Sequence, residues 1–191
     1  MEALKQDTNT RFTYADYAKW ETDKRWELIN GVPYMMASPV YNHQKILGVV
    51  FNQLYNQLKG KKCTPIISPF DVCLLGKGND DETVVQPDVM VVCDRSKIEK
   101  NYCNGAPDFI IEVISPSTAS VDRLFKMNKY MKAGVKEYWI IDVEEKMLQV
   151  YILNGAEQEF KAKVYDELNT VPISVLDGCY IDFKEAFDGI E

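Results

Sequence analysis

The stretches QPDVMVV (residues 86–92) and DFIIEVI (residues 108–114) decide the fold, because both are short apolar runs typical of buried strands. Each stretch carries one acidic residue beside its apolar residues, Asp88 in the first and Glu112 in the second. An ionised carboxylate in apolar surroundings is costly unless it is paired, hydrogen-bonded or bound to a metal ion. The two stretches therefore predict strands that share a site containing carboxylates.

Helices and further strands are predicted on both sides of these stretches. Asn30-Gly31 lies between two apolar runs and predicts a tight hairpin turn, which places Glu27 on the first strand of the hairpin. Apolar residues at helical spacing predict amphipathic helices over residues 46–58 and about 121–133. Other strands are predicted near residues 63–67, 70–75, 137–143, 147–153, 160–165 and 173–183, with short helices near residues 14–20 and at the end. The predicted fold is α/β, with a mixed β-sheet core flanked by helices in a single domain over residues 1–191.

Composition favours an ordinary globular protein. Of the 191 residues, 46% are hydrophobic and 27% are charged, which excludes bulk disorder. No apolar run approaches the length of a membrane span, and the first residues lack the apolar core of a signal peptide, so a cytoplasmic location is expected. The five cysteines show no close CxxC pairing, and we therefore expect small core residues rather than a zinc site or a disulfide framework.

The overall charge argues against a protein that coats nucleic acid. The net charge is −7 and the pI is about 4.9, so long-range attraction to phosphates is weak. Contact with DNA requires only a local basic surface. Candidate basic groups are Lys59, Lys61 and Lys62, then Arg95, Lys97 and Lys100, then Arg123, Lys126, Lys129 and Lys132.

Paired carboxylates indicate a hard divalent cation. Oxygen ligands are those that Mg²⁺ or Mn²⁺ prefers, and such an ion lowers the pKa of a bound water and stabilises charge on a phosphoryl oxygen. Asp88 and Glu112 therefore indicate phosphodiester hydrolysis as the natural use of the site. No Gly-rich phosphate loop or serine elbow points to another enzyme class.

An ordered series of motifs gives a more specific indication. The motifs are WELING (26–31), SP with HQ (38–44), QPD (86–88), APD (106–108), EVISPST (112–118), Asp122 with Lys126 and Tyr130, and GVKEYW (134–139). The Pro-Asp pair and the strand acid resemble the core of the PD-(D/E)XK nuclease superfamily. The whole series, from about Tyr14 to Tyr151, is similar to the Uma-type family of restriction endonucleases.

This resemblance implies roles for individual residues. Asp88, Glu112 and the backbone carbonyl of Val113 would hold Mg²⁺ or Mn²⁺, and Glu27 would support the site. In the superfamily a lysine stands two residues after the second acid, where this chain has Ile114. Lys126 on the next helix is the candidate replacement, and it would orient the attacking water or neutralise charge in the transition state. The substrate implied is DNA, cut to leave a 5′-phosphate and a 3′-hydroxyl.

Two other functions stay open at this point. The lysine missing at position 114 and the acidic net charge favour an inactive binding or regulatory module that kept the fold. A metal-dependent hydrolase acting on another substrate is the second alternative. His43, the only histidine, is interpreted as structural or capping, with metal ligation as the less favoured alternative. Asp108 and Asp142 are interpreted as residues that serve turns. A second apolar stripe on the later helix, at Leu124, Met127 and Met131, favours a homodimer.

Overall fold

The computed structural model describes residues 2–3, 10–114, 121–165 and 169–190, and side chains within 10–114, 125–165 and 169–190. The strands are β1 (Glu2–Ala3), β2 (Trp26–Ile29), β3 (Val32–Met35), β4 (Thr64–Ile67), β5 (Asp71–Cys73), β6 (Val84–Val85), β7 (Val89–Val92), β8 (Tyr102–Asn104), β9 (Phe109–Ile114), β10 (Glu137–Asp142), β11 (Met147–Asn154), β12 (Glu159–Tyr165), β13 (Thr170–Pro172) and β14 (Tyr180–Asp182). The helices are α1 (Tyr14–Tyr17), α2 (Tyr41–Leu58), α3 (Val121–Ala133) and α4 (Phe183–Phe187), with 3₁₀ turns at Gly78–Asp80 and Arg95–Lys97.

Two six-stranded sheets organise the described residues. The central sheet has the strand order β12-β11-β10-β9-β7-β4, and the hairpin sheet has the order β1-β3-β2-β6-β5-β8. Strands β9 and β10 run parallel, while β7 runs antiparallel to β9. Helix α3 connects β9 to β10, which is the crossover that a parallel strand pair requires. A small third sheet pairs β13 with β14.

The central sheet lies between two apolar clusters because the side chains of β9 alternate between its faces. Phe109, Ile111 and Val113 belong to the first cluster, together with the buried face of α2 and the C-terminal segments. Ile110 and Ile114 belong to the second cluster, which also contains Tyr130 and Val135 after β9 and residues of the hairpin sheet. Glu112 lies between Ile110 and Ile114, so its side chain shares the face covered by α3 and the hairpin sheet.

The predicted α/β fold class is confirmed. The hairpin turn lies at Asn30-Gly31, where both residues have positive φ angles of 52° and 73°. Helix α2 contains the predicted 46–58 segment and begins five residues earlier, and α3 covers 121–133 as expected. The single mixed sheet of the prediction is instead divided into the two large sheets, because β1 and β6 pair with the hairpin strands and β5 and β8 extend that sheet beyond β6.

The prediction that the cysteines form no disulfide is wrong for one pair. Cys63 and Cys93 are bonded, with their Cα atoms 3.9 Å apart. The antiparallel register of β4 and β7 pairs Thr64 with Val92, and continuing it outward sets Cys63 opposite Cys93. This pairing across strands has no signature in local cysteine spacing. Cys73, Cys103 and Cys179 are buried free thiols, as predicted.

The apolar stripe of α3 is partly covered within the chain. Met127 packs against the second cluster, while the side chain of Leu124 lies outside the described residues. The homodimer therefore stays a prediction. In the described part of the chain, no helix is both long and apolar enough to cross a membrane.

Candidate active site

Asp88 and Glu112 face each other across neighbouring strands. The register of β7 and β9 pairs Val89 with Ile111, so the next residues outward, Asp88 and Glu112, lie opposite one another. Residues directly opposite in an antiparallel pair project to the same face of the sheet. The two acids of the opening sequence motifs are thus brought together by strand pairing alone.

The Asp88 carboxylate is held by groups from two other elements. Its Oδ2 atom accepts a hydrogen bond of 2.9 Å from the backbone N–H of Val113, the residue after Glu112. The same oxygen lies 3.2 Å from Nε2 of His43, in the first turn of α2. The Asp88 backbone carbonyl accepts from the N–H of Ser68 at 2.9 Å. These contacts fix the residue beside the Glu112–Val113 peptide.

The Glu112 carboxylate is held by two donors from α3. Tyr130 donates its hydroxyl to Oε1 at 2.8 Å, and Nζ of Lys126 lies 3.3 Å from the same atom. Lys126 and Tyr130 are four residues apart, so they lie on one face of the helix. Tyr130 is fully buried, and Lys126 is 9% exposed. The central sheet and α3 together therefore enclose an acid, an ammonium group and a hydroxyl.

Glu27 reaches the same ammonium group from the hairpin sheet. Its Oε1 atom accepts from Nζ of Lys126 at 2.8 Å and from the backbone N–H of Gln86 at 2.8 Å. Glu27 is completely buried, yet among the described residues its Oε2 atom has no hydrogen-bond partner. Lys126 thus bridges the two large sheets, and one buried carboxylate oxygen is left for a further donor or cation.

Burial and charge perturb the ionisation of these groups. Burial raises the pKa of Glu112 to about 7; Lys126 opposes this rise, and the charges of Asp88 and Glu27 add to it. Burial alone would lower the pKa of Lys126, but Glu112 and Glu27 raise it above the ordinary value, so the ammonium stays charged. Burial and the neighbouring Glu112 and Glu27 keep the pKa of Tyr130 well above its ordinary value, so the hydroxyl stays a donor.

The donor set suits a hard divalent cation. Within the part of the chain that the structure describes, three carboxylates share one ammonium and one imidazole, so carboxylates outnumber the cationic groups beside them. Carboxylate oxygens are the preferred ligands of Mg²⁺ and Mn²⁺. No three His, Cys, Asp or Glu residues among the described ones are already arranged around a single ion position. The Glu112 Oε1 atom instead accepts from Lys126 and Tyr130.

The structure brings together the residues selected from the sequence, namely Glu27, Asp88, Glu112, Val113 and Lys126. His43, interpreted from the sequence as structural or capping rather than as a metal ligand, contacts Asp88 through Nε2. The signal available in the sequence was its place in the motif series. Asp108 accepts from the backbone of Cys93 and from Lys136, in keeping with a structural role. Residues 115–118 and the side chain of Asp122 lie outside the described residues.

Two known proteins are similar to this chain over most of its length. A Synechocystis protein named "Uncharacterized protein slr1290" is 27% identical over 143 residues, which is 73% of each chain. The crystal structure of "a putative nuclease belonging to DUF820" from Anabaena variabilis superposes with a TM-score of 0.74 and 21% identity, covering 94% of this chain and 99% of the other. That likeness shows the fold. The family model Uma2, described as "Putative restriction endonuclease", matches residues 14–183, and the chain therefore belongs to the Uma2 family.

Proposed function

We propose that this protein is a divalent-metal-dependent endonuclease that hydrolyses phosphodiester bonds of DNA. The observation that carries the proposal is the excess of buried carboxylates over cations at one point between the two sheets. Asp88, Glu112 and the carbonyl of Val113 would hold Mg²⁺ or Mn²⁺. Membership of the Uma2 family supports a nuclease-like function.

The bound ion would supply a water of lowered pKa and positive charge beside the phosphoryl oxygens. Lys126 would place its ammonium next to that water or the phosphate, where it opposes the negative charge that grows in the transition state. Glu27 would hold Lys126 in position, and the N–H of Gln86 would hold Glu27. Tyr130 would keep Glu112 oriented through its hydroxyl. Lys126 thereby takes the role of the lysine that Ile114 replaces.

A cleavage assay with matched acid variants tests this proposal. The wild type is expected to cut supercoiled and single-stranded DNA in Mg²⁺ or Mn²⁺, and EDTA is expected to stop the reaction. Asp88→Asn and Glu112→Gln should each lower the rate by at least about a hundredfold, because either change removes a ligand charge. Asp177→Asn, at an exposed position before β14, is the control and should cut at the wild-type rate. Equal cleavage by all four proteins would contradict the proposal.

An inactive binding module is the second candidate, favoured by Ile114 at the superfamily's lysine position and by Lys126 already being paired with both Glu27 and Glu112. Calorimetry separates the two functions. The inactive module is indicated if the wild type neither cuts DNA nor binds Mn²⁺. Metal binding that needs Asp88 and Glu112, without salt-sensitive affinity for DNA, would indicate a hydrolase with another substrate.

The DNA substrate has its own test, which follows from the charge of the site. A DNA phosphate that approaches Asp88 and Glu112 without a metal ion is repelled by both carboxylates. In EDTA, the double variant Asp88→Asn/Glu112→Gln should therefore bind a DNA duplex at least about threefold more tightly than the wild type at low salt. Unchanged affinity would show that the DNA backbone does not approach these acids.

A further inference from the structure

We infer that His43 binds the metal ion directly through Nε2, as a co-ligand of Asp88, and that the site consequently prefers Mn²⁺ to Mg²⁺. The inference rests on the proposed function, because it concerns the ion that Asp88 and Glu112 are proposed to hold. It adds a nitrogen ligand from α2 to a set otherwise made of oxygens.

The contact between His43 and Asp88 has the dimensions of a ligand pair. Nε2 lies 3.2 Å from Oδ2 of Asp88, and in the free protein a proton must lie between the two atoms, because two lone pairs would otherwise face each other. Two ligands at right angles on an octahedral ion, each about 2.1 Å from it, are about 3.0 Å apart. A divalent cation can therefore replace that proton with little movement of either side chain.

Orientation of Asp88 does not require the imidazole. Oδ2 already accepts from the backbone N–H of Val113 at 2.9 Å, and the backbone of Asp88 is tied to Ser68. His43 is nevertheless largely buried, with 13% of its side chain exposed, at the start of an 18-residue helix. A buried imidazole directed at a carboxylate that is already fixed fits a ligand better than an orienting group.

A nitrogen ligand changes which ion the site favours. Mg²⁺ strongly prefers oxygen, whereas imidazole suits first-row transition ions, whose affinity for nitrogen sites exceeds that of Mg²⁺. His43 should therefore raise the affinity for Mn²⁺ far more than the affinity for Mg²⁺. The ratio of the two dissociation constants is then a measure of whether the imidazole is bound.

Pulsed electron paramagnetic resonance of bound Mn²⁺ tests the ligand itself. His43 is the only histidine in the chain, so ¹⁵N-histidine labelling marks this imidazole alone. The spectrum of the wild type should show strong coupling to a directly bound nitrogen, and the coupling should change to the ¹⁵N pattern on labelling. A spectrum without histidine coupling, while Mn²⁺ is bound, would overturn the inference and leave the proposed function intact.

Calorimetry on His43→Gln supplies the second readout. The glutamine amide can still donate a hydrogen bond to Asp88, so a role in orientation alone would be largely kept. A lost nitrogen ligand should weaken Mn²⁺ binding by at least about tenfold and Mg²⁺ binding by much less. Equal affinities in His43→Gln and wild type would overturn the inference. If the wild type is shown to be folded by circular dichroism and still binds no Mn²⁺, the proposed metal site fails together with the inference.

Discussion

The ammonium group of Lys126 lies between carboxylates from two different sheets, 2.8 Å from Glu27 Oε1 and 3.3 Å from Glu112 Oε1. Removing one partner of a buried ion pair costs more than the pair contributes, because the remaining charge stays buried without compensation. At this position two carboxylates would lose the same cation. Lys126 is therefore expected to matter for folding as well as for the proposed chemistry.

Substitution Lys126→Met should lower the free energy of unfolding by about 3–5 kcal/mol at pH 7.5. Adding Glu27→Gln should recover at least about 1 kcal/mol, because one of the stranded charges is then removed. Urea unfolding of the two single variants and the double variant measures this coupling. Lys132→Met, on the exposed side of the same helix, is the control and should change stability by less than about 0.5 kcal/mol. If the effects of Lys126→Met and Glu27→Gln on the free energy of unfolding simply add in the double variant, the ion pair between Lys126 and Glu27 is not formed.

The carboxyl group of Asp108, which lies outside the candidate site, should make the stability of the fold depend on pH. Burial raises the pKa of its carboxyl, but hydrogen bonds from Lys136 and the backbone of Cys93 outweigh burial and lower the pKa below its ordinary value. The ionised form therefore stabilises the fold above the unfolded pKa, about 3.9, and the stabilisation is lost as the pH falls through the native pKa.

Asp108→Asn should consequently cost roughly 1–3 kcal/mol at pH 7, and the difference from wild type should shrink toward zero near pH 2. Urea unfolding across that range gives the measurement. Glu144→Gln, an exposed acid after β10, should show a far smaller pH-dependent difference. A cost that is the same at pH 7 and at the lowest pH would contradict the sign of the shift.

At the scale of single elements, the turn at Asn30-Gly31 joins β2, the strand that carries Glu27, to β3, and Gly31 makes that turn possible. Its φ angle is +73°, and a Cβ atom there would lie 2.9 Å from the Cβ of Arg11 and 3.1 Å from the backbone N of Phe12. Gly31→Ala should therefore cost about 1–3 kcal/mol through strain and contact. Gly48→Ala inside α2 meets no atom within 4 Å and should instead stabilise by roughly 0.5–1 kcal/mol. Thermal unfolding measures the melting temperatures of the two variants. A shift in the same direction for both variants, relative to wild type, would contradict this prediction.

The link between β4 and β7 gives a second prediction for these elements. The Cys63–Cys93 disulfide links two cysteines that are 30 residues apart in sequence. Cys93 directly follows β7, the strand that begins after Asp88. By loop-closure entropy, the double variant Cys63→Ala/Cys93→Ala should be roughly 3–4 kcal/mol less stable than the oxidised wild type. Urea unfolding with and without reductant measures this: reductant should weaken the wild type and leave the variant unchanged. Equal stability of the oxidised and reduced wild type would contradict the presence of a stabilising Cys63–Cys93 disulfide.

Elements with strong local signals could be predicted from the sequence, and those that depend on long-range pairing could not. The Asn30-Gly31 turn and the helical spacing of α2 are properties of a few neighbouring residues. Strands of two or three residues, such as β6, have no periodicity to detect and exist because neighbouring strands pair with them. The Cys63–Cys93 bond is hidden for the same reason, since only the register of two strands brings the residues together.

At the scale of the whole molecule, the candidate site depends on contacts between parts distant in sequence. Lys126 and Glu27 are 99 residues apart, and His43 and Asp88 are 45 residues apart. The acids could be predicted because each interrupts an apolar strand, and Lys126 because the family resemblance required a displaced lysine. The motif series includes His43, but its contact with Asp88 depends on how α2 packs against the central sheet, which the local sequence does not show.

The overall charge of the molecule bears on the DNA substrate that we propose. With a net charge of −7, non-specific attraction to the DNA backbone is weak, so productive contact must depend on local cations. Lys126 and a metal ion are the positive groups proposed at the site. We therefore expect hydrolysis to occur where Asp88, Glu112 and Lys126 meet.

The most direct measurement is DNA cleavage in ¹⁸O-labelled water with Mn²⁺, followed by mass spectrometry of the fragment ends. We predict one ¹⁸O atom in each new 5′-phosphate, with none in the 3′-hydroxyl, for the wild type, and no product from Asp88→Asn or Glu112→Gln purified in the same way. Cleavage that persists in both variants, or a wild type that binds Mn²⁺ and DNA but never incorporates ¹⁸O, would contradict a hydrolytic site at these residues.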